Sequence, residues 1–110
     1  TAALVAAAQA SGTAFRVGTV ASMDLFYDPR QAVTAGLRSL GVLALEMEAA
    51  AVFTVAALRG LQAGAVFAVT DTIEGQVRAE RALIDRTVRS MIEVALDAAL
   101  AHATGAGGQC

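Results

Sequence analysis

The 110 residues are 56% hydrophobic, with one proline and a mean hydropathy of +0.60, a composition that builds a core and excludes a disordered segment. The net charge is −2 and all eight basic residues are arginines, at 16, 30, 38, 59, 78, 81, 86 and 89, dispersed among acids. That pattern excludes a nucleic-acid or anionic-membrane surface, which needs clustered positive charge.

The first dozen residues, "TAALVAAAQASG", read as part of a helix: no positive residue precedes them and the apolar stretch is too short for a signal core. There is no initiator methionine, and a helical pattern is already under way at Thr1, so the chain reads as a fragment. Residues 13 to 21, "TAFRVGTVA", alternate so that Phe15, Val17 and Thr19 face one way, which predicts a strand. "SMDLFYDP", 22 to 29, follows as a loop, broken by Asp28 and Pro29.

Residues 30 to 40 predict a short helix with Ala32, Ala35, Leu37 and Leu40 inward and Gly41 as its stop. "VLAL", 42 to 45, predicts a buried strand, and Met47 or Glu48 to Arg59 an alanine-rich helix closed by Gly60. "AVFAVT", 65 to 70, predicts a second buried strand ending in Asp71. Strand, helix and strand over this span make a right-handed crossover of a parallel sheet, buried on both faces. Residues 77 to 103 predict a covering helix with Leu83, Ile84, Val88, Met91, Ile92, Ala95, Ala99 and Leu100 on one stripe. The fold class is therefore α/β, with one domain over 1–104 and a mobile tail, 105–110.

No apolar run approaches the ~20 residues that span a bilayer. The one cysteine, Cys110, ends the chain and has nothing within it to pair with, which fits a reducing cytoplasm.

In open α/β sheets ligands bind at the carboxyl ends of the strands. Three stretches fall there: "SMDLFYDP", "EMEA" and "TDTI". Glu46 and Glu48 point the same way in an extended stretch and diverge by about 200° in a helix. At a strand-to-helix junction at least one projects into the cleft, where a carboxylate suits the paired hydroxyls of a sugar. Acidic residues also simply favour a helix's first turn. Asp71 is either a cap or turn residue, or a general acid at the rim of an apolar cavity. Phe26 and Tyr27 offer a stacking platform or plug the core. Arg81 reaches the same cleft or decorates the last helix. Arg78, Arg86 and Arg89 read as a solvated face beside Glu80, Asp85 and Glu93. His102 is isolated, so neither a metal site nor a Ser-His-Asp triad is supported, and "GTVAS" falls far short of a phosphate-binding glycine loop.

"FRVGTVASMDLFYDP", "LALEMEAAAVFTVAALRGLQAGAVFAVTDTI" and "RAERALIDRTVRSMIEVALDAAL" occur in that order. Together they resemble the C-terminal half of nucleoside phosphorylases of the hexameric purine nucleoside and uridine phosphorylase type. The resemblance implies the C-terminal part of a three-layer α/β/α fold, a mixed sheet with flanking helices and a long C-terminal helix. It implies phosphorolysis, in which inorganic phosphate displaces the base to give ribose 1-phosphate, with no cofactor beyond that co-substrate.

Carried over by position, Met47 and Glu48 look like the ribose-contacting methionine and the glutamate that holds the ribose hydroxyls, and Glu46 like the first glutamate of the motif, close to the sugar. Phe26 is similar to the aromatic that packs on the base, with Leu45 behind it. Asp71 matches the acid that protonates N7 of a leaving purine, and Arg81, in "AER", the arginine that assists it. Asp71, together with adjacent rather than spaced Arg30 and Gln31, favours purine nucleosides over uridine. The family's phosphate-binding glycine and arginine residues lie in an N-terminal half that has no counterpart here. The 110 residues alone are therefore expected to be inactive, and to belong to dimers grouped into a hexamer. The alternatives are a uridine phosphorylase, a nucleosidase of the same superfamily and an inactive nucleoside-binding module.

Overall fold

The computed structural model describes residues 1–25, 31–73 and 77–106. Phe26, Tyr27 and Arg30, singled out above, and the last four residues of the tail lie outside that set. The chain divides into two compact units, Thr1–Phe15 with Gly64–Cys110, and Arg16–Ala63.

In the first unit, helix α1, Ala2–Ser11, lies against helix α4, Arg81–Ala106. α1 is almost entirely alanine and other good helix formers, and Ser11 closes it by donating from Oγ to the Ala8 carbonyl at 2.9 Å. The most buried side chains of the unit, Ala8, Val94 and Ala98, all lie on these two helices. Small side chains at the contact let the two helix axes approach closely.

The inward stripe of α4 is Ile84, Val88, Met91, Val94, Ala95 and Ala98, and the helix runs three residues beyond the expected end. Four residues expected on that stripe, Leu83, Ile92, Ala99 and Leu100, are exposed. The apolar pattern of α4 is wider than the face α1 covers, so periodicity alone leaves its phase loose by one residue.

The strand expected over 65–70 does not form. Its backbone carries no ladder among the described residues, and the segment contributes only an isolated antiparallel bridge between Asp71 and Arg78. Two hydrogen bonds flank that bridge, from Thr72 N to the Val77 carbonyl and from Ala79 N to the Thr70 carbonyl, both 2.9 Å. Apolar, β-prone residues make a strand only where a neighbour accepts the ladder, and Phe67 and Val69 are exposed rather than buried on both faces.

The second unit holds the parallel sheet. Strand β1, Val20–Ser22, pairs with β2, Ala44–Glu46, in the register Val20↔Ala44, Ala21↔Leu45 and Ser22↔Glu46. The crossover unit thus runs β1, α2 (Gln31–Ser39), β2, one strand and one helix earlier than expected. β1 is shorter than the predicted 13–21 because its neighbour is short. Leu43 N donates to the Thr19 carbonyl, but Gly41 N and Val42 N turn back to the Arg38 and Leu37 carbonyls, so nothing remains to pair residues before Thr19.

On α2, Val33 and Leu37 are half-buried at helical spacing, whereas Ala32, Ala35 and Leu40, expected inward, are exposed. Leu40 follows the end of α2, just before the chain reverses at Gly41, whose φ of 78° is the left-handed stop the sequence predicts. Helix α3, Ala49–Leu58, leaves β2 after two residues and stops before Gly60, φ 64°. α3 carries no charged residue, and Ala49 alone of its ten residues is buried. Helices around a small parallel sheet are an α/β arrangement.

Candidate active site

Six of the seven predicted site residues lie among the described residues; Phe26 does not. Leu45, Glu46, Met47 and Glu48 run from the end of β2 to the residue preceding α3. Leu45 and Glu46 are half-buried, Met47 and Glu48 exposed.

A helix start leaves backbone N–H groups without intrahelical acceptors. Here the residue at the cap position, Glu48, does not supply them from its side chain. Glu46 does so instead: its Oε2 accepts from Glu48 N at 2.8 Å and from Ala49 N at 2.6 Å. Its Oε1 accepts from the Ser22 hydroxyl, and Ser22 Oγ in turn accepts from Ala50 N at 3.0 Å. Ser22 and Glu46 can share this task because they are register partners, each the last residue of its strand. The hydrogen bond from Ser22 and then that from the Ala49 amide hold the Glu46 carboxyl below its ordinary value; the Glu48 amide adds to them, and partial desolvation opposes them.

The two glutamates therefore differ. Glu46 is committed to the junction, whereas the Glu48 carboxylate accepts one long bond, 3.3 Å from Met47 N. Glu48 is thus the carboxylate free to turn toward a ligand hydroxyl.

In the other unit, Asp71 accepts from Thr70 Oγ1 at 2.6 Å and forms an ion pair with Arg78, Nη1 to Oδ1 3.6 Å. Arg81, the expected companion of Asp71, instead donates from Nε to Asp85 at 3.2 Å, one helical turn on. Asp71 thus stands at a bridge with both carboxylate oxygens engaged, and the arginine beside it is Arg78. The bridge between Asp71 and Arg78 explains this choice, since bridge partners project side by side.

Sequence reading passed over Ser22 and Arg78. The parallel pairing of two strand ends would have found Ser22; no local signal marks Arg78, because the bridge that sets it is a tertiary feature.

An open apolar recess of about 450 Å³ is lined by Ala51, Val52, Val55, Ala56 and Leu61. None of the predicted site residues lines it. Among the described residues no three His, Cys, Asp or Glu side chains assemble a metal site, and no helix is long and apolar enough to cross a membrane.

Residues 1–103 match the family model described as the phosphorylase superfamily. A DeoD-type purine nucleoside phosphorylase of Haemophilus influenzae (strain PittGG) is 40% identical over 98 residues, covering 89% of this chain and 41% of that protein. The proteins of the same name from Mannheimia succiniciproducens and Shewanella loihica are 38% and 39% identical, covering 91% and 89% of this chain and 42% of each relative. The chain spans about two fifths of the length of these curated relatives. With a family match running through both compact units, the chain belongs to the phosphorylase superfamily.

Proposed function

We propose that this chain supplies the sugar and base contacts of a nucleoside phosphorylase acting on purine nucleosides, with inorganic phosphate as the attacking co-substrate and no further cofactor. One observation carries the reading: the relatives bear the name purine nucleoside phosphorylase, and at the "EMEA" junction Glu48 keeps a weakly engaged carboxylate beside an exposed Met47. In this reading Glu48 accepts hydrogen bonds from the ribose hydroxyls, Met47 packs against the sugar, and Phe26, with Leu45 behind it, contacts the base.

Cleavage of the glycosidic bond places positive charge on the ribose and negative charge on the departing base. A proton donor at the base and acceptors at the sugar therefore act most strongly in the transition state. Asp71 is the proton donor and Arg81 its assistant, released from an exposed i,i+4 pair with Asp85 that is worth only about 0.3–0.5 kcal/mol. The chain corresponds to the C-terminal part of a three-layer α/β/α domain, and phosphate binds to residues of the part it does not span. The complete enzyme is a cytoplasmic homo-oligomer, dimers grouped into a hexamer.

Phosphate dependence tests the reading. The complete enzyme should convert inosine and phosphate to hypoxanthine and ribose 1-phosphate, while the 110-residue chain alone binds inosine without turnover. Free ribose released without phosphate would indicate a nucleosidase instead. Phosphate-dependent cleavage by the isolated chain would overturn the division of labour.

A further inference from the structure

We propose that Ser22 and Glu46 are positioning residues that fix the β2–α3 junction for Met47 and Glu48, leaving Glu48 as the single carboxylate of the pair presented to a ribose. The proposal rests on the nucleoside reading above for its ligand and on the hydrogen-bond network for its geometry. Both oxygens of Glu46 are occupied, one by the Ser22 hydroxyl and the other by the amides of Glu48 and Ala49. Three of the roughly four acceptor positions of its carboxylate are thus taken, and the amides it holds have no intrahelical acceptor at the helix start, so Glu46 has little capacity left for sugar hydroxyls.

Ser22 is equally committed, since its hydroxyl donates to Glu46 while its oxygen accepts from Ala50 N. The hydroxyl thus ties β1 to the first turn of α3. The consequence falls on Glu48: its own amide is one of the donors Glu46 holds, so the clamp sets the backbone from which the Glu48 side chain departs. A carboxylate on a fixed backbone loses less freedom on meeting a diol than one on a fraying helix end.

The arrangement also separates two roles that the spacing of the glutamates leaves merged. Like charges two residues apart repel when both face one ligand. Here the charge of Glu46 is stabilised by three donors at the junction, and Glu48 keeps its acceptor capacity. Ser22 then matters to the site without touching the sugar.

The test is a double-substitution cycle on the 110-residue chain, read by inosine titration, together with amide hydrogen exchange. Glu48→Gln should weaken inosine on the order of tenfold, and Glu46→Gln by a smaller factor. The double variant should be no weaker than Glu48→Gln alone, because Glu46 acts through Glu48. Independent, multiplying losses would make Glu46 a direct sugar ligand and overturn the proposal. Ser22→Ala should speed exchange at the amides of Glu48, Ala49 and Ala50 and leave those of α1 and α4 unchanged, with Ser22→Thr restoring protection. Unchanged exchange in Ser22→Ala would remove the clamp. A wild-type chain that binds no inosine would sink the nucleoside reading and the sugar assignment with it, while exchange still decides the clamp.

Discussion

Arg78 Nη1 stands 3.6 Å from Asp71 Oδ1, across the antiparallel bridge that the same two residues form. Both side chains are well exposed, 72% and 47%, so the pair lies in the range where ion pairs contribute between nothing and about 1 kcal/mol. Its structural effect is to orient a carboxylate rather than to stabilise a fold. Arg78→Ala should therefore leave the urea midpoint of the chain almost unchanged, and a large shift would show that the bridge depends on the charge pair.

Asp71→Asn tests the proposed acid. In the complete enzyme the substitution should lower kcat/KM for inosine by about 10² to 10⁴, and for uridine far less, because only the purine has an N7 for this acid to protonate. Equal losses on both substrates would make Asp71 a turn residue, held by Thr70 and Arg78 for the sake of the loop.

Two glycines of one helix-turn segment should respond in opposite directions. Gly36 lies within α2 with nothing within 4 Å of an added Cβ, so Gly36→Ala should stabilise by about 0.5–1 kcal/mol. Gly41 also has open space, but its φ of 78° strains any L side chain, and Gly41→Ala should cost on the order of 1 kcal/mol. Urea midpoints at unchanged slope would measure both.

What the sequence discloses is local. Alanine-rich α1, α2 with its stop at Gly41, and α3 before Gly60 all follow from propensity and termination signals within a dozen residues. The "EMEA" junction is legible for the same reason, since a short apolar strand runs directly into a helix. What it conceals is pairing. The segment 65–70 is as β-prone as "VLAL" yet among the described residues is paired only at its end, where Thr70 accepts from Ala79 N, and β1 ends where β2 runs out of partners. The proposed site divides along the same line: Glu48 is singled out by its motif, while Ser22 and Arg78 acquire their partners from residues 24 and 7 positions away.

The phase of α4 is open to a direct check. Val94 and Ala98 are each 4% exposed, whereas Leu100 is 66% exposed. Val94→Ala should cost about 2 kcal/mol and Ala98→Leu about 1–3 kcal/mol by overpacking against α1. Leu100→Ala, although it removes a larger side chain, should stay within about 0.5 kcal/mol. A large effect at Leu100 in chemical denaturation would restore the stripe that periodicity alone predicts.

α3 exposes Val52, Phe53, Val55 and Leu58 by 42% to 80% on a helix without a single charge. Uncharged helices of this kind are ordinarily buried, and contiguous exposed apolar surface binds other apolar surface. The isolated chain should accordingly enhance the fluorescence of an apolar dye and associate as its concentration rises. Val55→Lys, which places a charge in the recess beside Leu61, should reduce both. Dye binding unchanged by that substitution would locate the apolar surface elsewhere.

Glu46 gives the fold a defined response to acid. Its carboxyl titrates below the ordinary value of 4.5, chiefly through the hydrogen bond from Ser22 and then that from the Ala49 amide. The unfolded chain, with the ordinary value, binds the proton more readily, so stability from this group is fully present above the unfolded value. It is lost as pH falls through the lower folded value. Protonation removes the charge that strengthens all three hydrogen bonds to this carboxyl, and the start of α3 is then held less firmly. Urea midpoints measured from neutral pH down through the carboxylate range should fall for the wild type. The fall should be shallower in Glu46→Gln, which is already uncharged, and in Ser22→Ala, which removes the largest cause of the shift. Asp85→Asn, altering an exposed carboxylate paired with Arg81 along its own helix, should leave the acid limb in place. Parallel acid limbs in wild type and Glu46→Gln would show that this carboxylate does not set the response.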